Sequence, residues 1–414
     1  MLRCMSSTPR NSAEGALRAE SAPFLGDPGK AIHLGQGSGP LRGVKVVEIA
    51  GIGPGPHACM IMADLGADVI RVERPGGQLL AGGATMVLNR GRPSVALDLK
   101  QPEAAAVVLE LVRFADVLVE GMRPGVTERL GIGPEHCHAV NPRLVYGRLT
   151  GWGQDGPLAL AAGHDINYIS VAGALFGLGQ TPDRPQFPTN LVGDFGGGST
   201  YLVIGILAAL LEARVSGQGQ VVDAAIVDGT AHLNAMTSAF AASGGYKEER
   251  GANLLDGGVP FYDVYETSDG KHVSVGALEP QFYAALIGLL GLEDVAPGQG
   301  EPDRYDELRT LLTDTFLQRT QAEWVELFEG TDACVAGIIP ISEAQEHPHL
   351  KARRTFVEHE GIVQPQPAPR FSRTEAALSL PPSPAAGTHT RDALAAWGVA
   401  DVDGLIDRGV AVQV

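Results

Sequence analysis

Three segments carry the side chains best suited to moving protons. Gly163-His164-Asp165-Ile166-Asn167-Tyr168 sets an imidazole, a carboxylate and an amide close together after a Gly/Pro-rich loop. Asn190-Leu191-Val192-Gly193-Asp194-Phe195-Gly196-Gly197-Gly198-Ser199 places a carboxylate where a long apolar run begins, and Ala277-Leu278-Glu279-Pro280-Gln281-Phe282-Tyr283 places another just before a helical stretch. Each has an ordinary structural reading. A histidine is more often a satisfied structural residue than a catalyst, Asp194 reads as an N-cap, and Glu279 as a partner of a helix dipole. The glycines after Asp194 add something, because they let another group approach the backbone, and N–H groups at a helix start stabilise a developing oxyanion.

The elements that must position these groups are legible in the apolar pattern. Val44-Lys45-Val46-Val47-Glu48-Ile49 reads as a buried strand, followed by the turn Gly51-Ile52-Gly53-Pro54-Gly55-Pro56 and a helix over about 57–65. Strands follow over 68–72, 94–99, 116–120 and 144–149, with a helix over 102–114 and short helices through 124–140. This spacing predicts a parallel sheet with helices on both faces. A long apolar helix is expected over about 197–213. From Pro260 the grammar changes: strands over 261–266 and 272–275 flank the hairpin signal Ser268-Asp269-Gly270, and helices follow at about 280–291, 303–317 and 321–329. The expected fold class is α/β, with a large Rossmann-like parallel-sheet domain over 40–222 and a return segment over about 346–400. Linker helices are expected over 223–259 and a smaller α+β domain over 260–345. Residues 364–387, rich in Pro, Ser and Ala, read as extended over the surface. Residues 1–39 lack an apolar signal core and read as a disordered extension.

Several functions are disfavoured. With 48 acidic against 31 basic residues the formal charge is −17, the wrong sign for a nucleic-acid surface. The most apolar stretch, 201–211, is interrupted by Glu212 and Arg214 and reads as too short for a bilayer. The four cysteines, at 4, 59, 137 and 334, form no Cys-x-x-Cys pair, which fits a reducing compartment, and the cytoplasm is expected. His136-Cys137-His138 and His347-Pro348-His349 make poor metal sites, so no metal is expected. The Gly51–Gly55 turn is not Gly-x-Gly-x-x-Gly, and Pro54 and Pro56 remove two N–H donors that a pyrophosphate would need, so a dinucleotide cradle is rejected. Arg71, Arg74, Arg90, Arg92, Arg123 and Arg129 gather near strand ends and define a candidate anion site.

At larger scale the chain resembles a known family. Val46-Val47-Glu48 with Gly53-Pro54-Gly55-Pro56, Ala63-Asp64-Leu65-Gly66-Ala67-Asp68, Val72-Glu73-Arg74-Pro75 and Leu97-Asp98-Leu99-Lys100 resemble the family III CoA-transferases. Arg123-Pro124-Gly125-Val126, Gly151-Trp152-Gly153-Gln154, the His164 and Asp194 segments, Asn253-Leu254-Leu255-Asp256-Gly257-Gly258, Glu279-Pro280-Gln281 and Thr331-Asp332-Ala333-Cys334-Val335 resemble the α-methylacyl-CoA racemase branch. The similarity runs from about residue 41 to 375. It implies an interlocked homodimer, with CoA on the large domain and an active site completed by the partner's small domain. It also implies that His164 and Asp194 are the two catalytic bases, that Glu279 supports the histidine, and that Arg129 is a site residue. Contacts to CoA are implied for Arg74, Leu97, Leu99, Lys100, Asp165, Asn167 and Tyr168. The implied substrate is an acyl-CoA, with no further cofactor.

The chemistry is consistent with this resemblance. Inverting a carbon α to a thioester requires a proton to leave one face and return on the other, so two acid/base groups must flank one carbon; a neutral histidine and a carboxylate can exchange roles. The enolate oxygen formed between the two transfers needs fixed N–H donors, expected at the helix start over 194–197. The nearest rival is a CoA-transferase in which Asp194 is a nucleophile that forms a mixed anhydride with the acyl group. His164 favours the racemase, since family transferases usually lack a histidine there. A non-catalytic CoA-binding dimer is a third reading.

Overall fold

The strands of residues 45–225, apolar apart from a few charged positions, assemble as one sheet in the computed structural model, which describes residue 32, residues 34–77 and residues 86–414. The strands are β1 (Lys45–Ile49), β2 (Asp68–Glu73), β3 (Ser94–Leu97), β4 (Val117–Glu120), β5 (Val145–Thr150) and β6 (Val221–Ala225), all parallel. A smaller antiparallel sheet holds β7 (Tyr262–Glu266), β8 (His272–Gly276) and β9 (Val335–Gly337), and β10 (Phe356–His359) pairs with β11 (Ile362–Pro365) as a hairpin. The last strand, β12 (Ala411–Val412), returns to the large sheet and lies antiparallel beside β3. The large sheet therefore runs β12-β3-β2-β1-β4-β5-β6. Its parallel part has the doubly wound nucleotide-binding order, in which the loops after β1 and β4 diverge and open a crevice at the carboxyl ends.

Alternation along each strand feeds two cores. Val47, Ile49, Ile70 and Val72 face one side with the helix Pro102–Val112 and the late helix Thr390–Ala396. Val46, Val69, Val117 and Val119 face the other, under the helices Pro54–Asp64 and Tyr201–Ser216. Each such side chain, fully buried, stabilises by about 1.5–3 kcal/mol. The small domain has its own core, in which Phe316 stacks on Tyr265 at 5.2 Å and meets Trp324 edge-on at 5.2 Å.

Several boundaries differ from expectation. Ile32 and residues 34–39 belong to the fold: Ile32 is buried, the Gly35 amide donates to Asp68 Oδ2 at 2.8 Å, and Gly39 packs so tightly on Leu65 that a Cβ would lie 2.3 Å from the Leu65 carbonyl oxygen. The remainder of the expected extension lies outside the described residues. The return segment continues past residue 400 to β12, and β6 was not foreseen as a strand. The apolar helix is longer than its composition implied. Leu191–Ser216 is one 26-residue helix, long and apolar enough by length to cross a membrane. Its first ten residues form a π-helix, Leu191–Thr200, and Leu202 and Ile206 are fully buried against the sheet.

Candidate active site

His164 precedes the short helix Asp165–Val171, which follows the irregular loop after β5. Its backbone is extended, its amide donates to Asn167 Oδ1 at 3.0 Å, and its imidazole is exposed. Asp165, by contrast, is 6% exposed and turned inward, where its Oδ2 accepts the backbone N–H of Asp194 at 2.7 Å. This hydrogen bond ties the two acid/base segments together. Asn167 is exposed; Tyr168 is buried, donates its hydroxyl to the Gly163 carbonyl and meets Trp152 edge-on at 4.8 Å.

Asp194 lies inside the π-helix and is half-buried. Asn190 Nδ2 donates to its Oδ2 at 3.4 Å, and Gly53, in the turn after β1, approaches so closely that a Cβ there would sit 3.3 Å from Oδ2. Burial pushes the Asp194 carboxyl above the usual aspartate range; the Asn190 hydrogen bond opposes this, the Asp165 charge adds to it, and the charge of His164 pulls it down. His164 and Asp194 therefore share one electrostatic environment, reached from the turn after β1 and from Arg123 after β4, whose charge acts on Tyr168.

The glycine run serves packing rather than a ligand. A Cβ on Gly197 would lie 2.6 Å from both the amide nitrogen and Oγ1 of Thr230, and one on Gly229 would lie 1.9 Å from the Gly197 carbonyl oxygen. The helix Ile226–Leu233 thus presses directly on the Asp194 segment. The oxyanion donors expected over 194–197 are also occupied at their start, since the Asp194 amide goes to Asp165 and the Phe195 amide to the Asn190 carbonyl at 3.3 Å. Among the described residues, unpaired amides occur instead at Asp165 and Ile166, in the first turn beside His164.

The arginine cluster divides in two. Arg71, Arg90 and Arg92 are buried and neutralised: Glu48 accepts from both Arg71 and Arg92, the latter at 2.7 Å, and Asp64 accepts from Arg90 at 2.6 Å. Arg74, Arg123 and Arg129 are exposed, with no ion-pair partner among the described residues, which leaves their guanidinium groups available to an anion. A cleft lies at the carboxyl ends of β1–β3, lined by Gly51, Ile52, Arg71, Asn89 and Ser383 among others. Lys100 and Leu99 lie beyond the end of β3, Lys100 exposed and Leu99 part-buried, whereas the Leu97 side chain is fully buried in the core. Glu279 sits ahead of the helix Pro280–Leu290 on the small domain, exposed and with no side-chain hydrogen-bond or ion-pair partner among the described residues; its charge acts on Cys334. The structure thus joins His164, Asp165 and Asp194 and gives the side chains of Arg129 and Glu279 no ion-pair partner among the described residues. Asn190 escaped the sequence reading, although its i, i+4 spacing to Asp194 was available as a signal.

Together, fold and site define an α/β protein that holds a histidine and a hindered carboxylate above the crevice of a nucleotide-binding sheet. The chain belongs to CoA-transferase family III, which it matches over residues 41–390. It is 44% identical over 360 residues to a mouse protein named alpha-methylacyl-CoA racemase, covering 86% of this chain and 93% of that one. The human protein of the same name is 43% identical over 360 residues, with the same coverage. Among solved structures, a CAIB/BAIF family protein from Brucella suis is similar with a TM-score of 0.76 at 28% identity, covering 87% of this chain and all of that one.

Proposed function

We propose that the protein interconverts (2R)- and (2S)-2-methylacyl-CoA thioesters by removing the α-proton and returning it on the opposite face. The observation that carries this reading is the hydrogen bond from the Asp194 amide to Asp165, the neighbour of His164, which sets the two acid/base segments side by side so that each can take the proton that the other has delivered. In one direction neutral His164 accepts the α-proton and protonated Asp194 delivers one to the other face; in the reverse direction the roles exchange. The unpaired Asp165 and Ile166 amides are the available donors for the enolate oxygen. A carboxyl held above its ordinary range suits this work, because its proton is retained more readily than that of an exposed aspartate. The names and identities of the mouse and human relatives support the same reaction. CoA enters as part of the substrate, and the proton balance closes without another group.

Proton NMR of a (2R)-2-methylacyl-CoA in deuterated water, with and without a carboxylic acid acceptor, tests this. Loss of the α-proton signal with epimer formation, independent of the acceptor, is expected. CoA appearing on the acceptor with the α-proton retained would instead make Asp194 a nucleophile and the protein a transferase.

A second copy of the chain completes the site in this proposal, with the partner's small domain bringing its Glu279 against His164. Unpartnered apolar surface supports it: the helix Ala235–Ala242 has no buried residue, and Leu211 and Val215 project outward at 63% and 90% exposure. Co-expressing His164→Ala with Glu279→Ala chains checks the arrangement. A mixed dimer then contains one site with both residues intact, so activity is expected to return to about half per mixed dimer; no recovery would place both residues in the same chain's site.

A further inference from the structure

Next to the acid/base pair lies a histidine that the mechanism does not use. His57 follows the Gly53-Pro54-Gly55-Pro56 turn, and its Nδ1 is 2.6 Å from Ser199 Oγ. Ser199 Oγ is in turn 3.0 Å from the carbonyl of Phe195, the residue after Asp194. A hydroxyl has one proton, so when Ser199 donates to Phe195, His57 Nδ1–H must donate to Ser199. The same imidazole lies against the Phe195 ring with centroids 4.3 Å apart. Burial, with the nearby charges of Arg90 and Arg92, lowers its pKa from the ordinary histidine value, which favours the neutral imidazole. Its own backbone is fixed from behind, by its amide to the Gly53 carbonyl at 3.1 Å and by Arg92 Nη1 to the Pro56 carbonyl at 2.9 Å.

We propose that His57 is a positioning residue for Asp194, acting through Ser199 on the turn of backbone that carries the carboxylate. The proposal rests on Asp194 being one of the two proton-transfer groups. Asp194 is then held on both flanks: Asp165 grips its amide, and the His57–Ser199 pair, with Thr200 Oγ1 at 2.9 Å, grips the next carbonyl. A carboxylate that must meet one face of a planar enolate needs such two-sided support, because a displacement of about 1 Å costs up to ~100-fold in rate. A π-helical turn, less regular than an α-helix, supplies less of that support by itself.

The test measures α-proton exchange of a 2-methylacyl-CoA in deuterated water with His57→Ala, His57→Asn, Ser199→Ala and the His57→Ala/Ser199→Ala double variant. His57→Ala and Ser199→Ala are each expected to lower kcat about 10- to 100-fold with KM unchanged. The double variant should be no slower than either single one, because both break the same support. His57→Asn, which keeps an N–H donor at similar reach, should recover most of the rate. Wild-type kcat in His57→Ala, multiplicative losses, a loss carried by KM alone, or an Asn variant as slow as Ala each overturns the proposal. If His57→Ala does not fold, Ser199→Ala and His57→Asn decide: a slow Ser199→Ala with a fast His57→Asn supports it, and any other pair of rates overturns it. Asp194→Ala is the control. Exchange that survives it refutes the proton-transfer role itself, whereas a dead Asp194→Ala beside wild-type His57 variants refutes only the support.

Discussion

Asp194→Asn is expected to lose α-proton exchange by about a thousandfold, within the range general acid–base groups supply, and to gain thermal stability at neutral pH. The two effects share one cause. Burial, with Asp165 nearby, lifts the folded-state pKa of Asp194 above its unfolded value. A group shifted in that direction contributes stability below its unfolded pKa and loses it as the pH rises through the folded one. At pH 7 the ionised carboxylate therefore burdens the fold, and an uncharged amide of the same shape removes the burden while still accepting from Asn190. Thermal unfolding at pH 7 should show a higher Tm for Asp194→Asn, and the difference should shrink towards pH 3. An unchanged or lower Tm at pH 7 would mean the carboxylate is solvated, and a wild-type exchange rate would remove it from the chemistry.

Glu48→Gln is expected to destabilise the protein by about 3–5 kcal/mol, the usual cost of breaking a buried ion pair from one side. Glu48 is 1% exposed, and its two carboxylate oxygens are divided between Arg71 and Arg92, the latter fully buried. A glutamine offers one acceptor oxygen and one NH2 group, so one guanidinium would face a donor in the core. Equilibrium denaturation at pH 7 should show the midpoint falling with the slope unchanged. A loss under about 1 kcal/mol, the scale of an exposed ion pair, would mean that water reaches the cluster. The damage should also reach the site, because Arg92 fastens the Pro56 carbonyl of the turn that borders Asp194.

Much of this architecture was legible because its signals are local. The strands around Val46, Val69 and Val117 are short apolar runs bounded by turn residues, and burial on both faces leaves them no other reading. β6 was missed because Val221 and Asp223 are exposed at the sheet edge, so its residues do not look like a buried strand. The arginines could not be sorted, because pairing Arg92 with Glu48 joins positions far apart in the chain, and only the folded sheet puts them together. For the same reason the glycines after Asp194 announce a close approach without saying by what: the approaching groups are Gly229 and Thr230 of another helix. His164 and Asp194 were legible as motifs. Asp165 was expected at the ligand, yet its carboxylate turns inward to the Asp194 amide, an orientation that composition and spacing do not encode.

The antiparallel seat of β12 beside β3 has a consequence for the order of assembly on the ribosome. Residues 96–97 pair with residues 411–412, so the intervening chain must be synthesised before that side of β3 is covered. At about 5–20 residues per second this takes on the order of tens of seconds. Throughout that interval β3 presents open backbone donors and acceptors to any neighbouring nascent chain. The first strands to emerge can pair early, but the sheet acquires its outer border last, from the far end of the molecule.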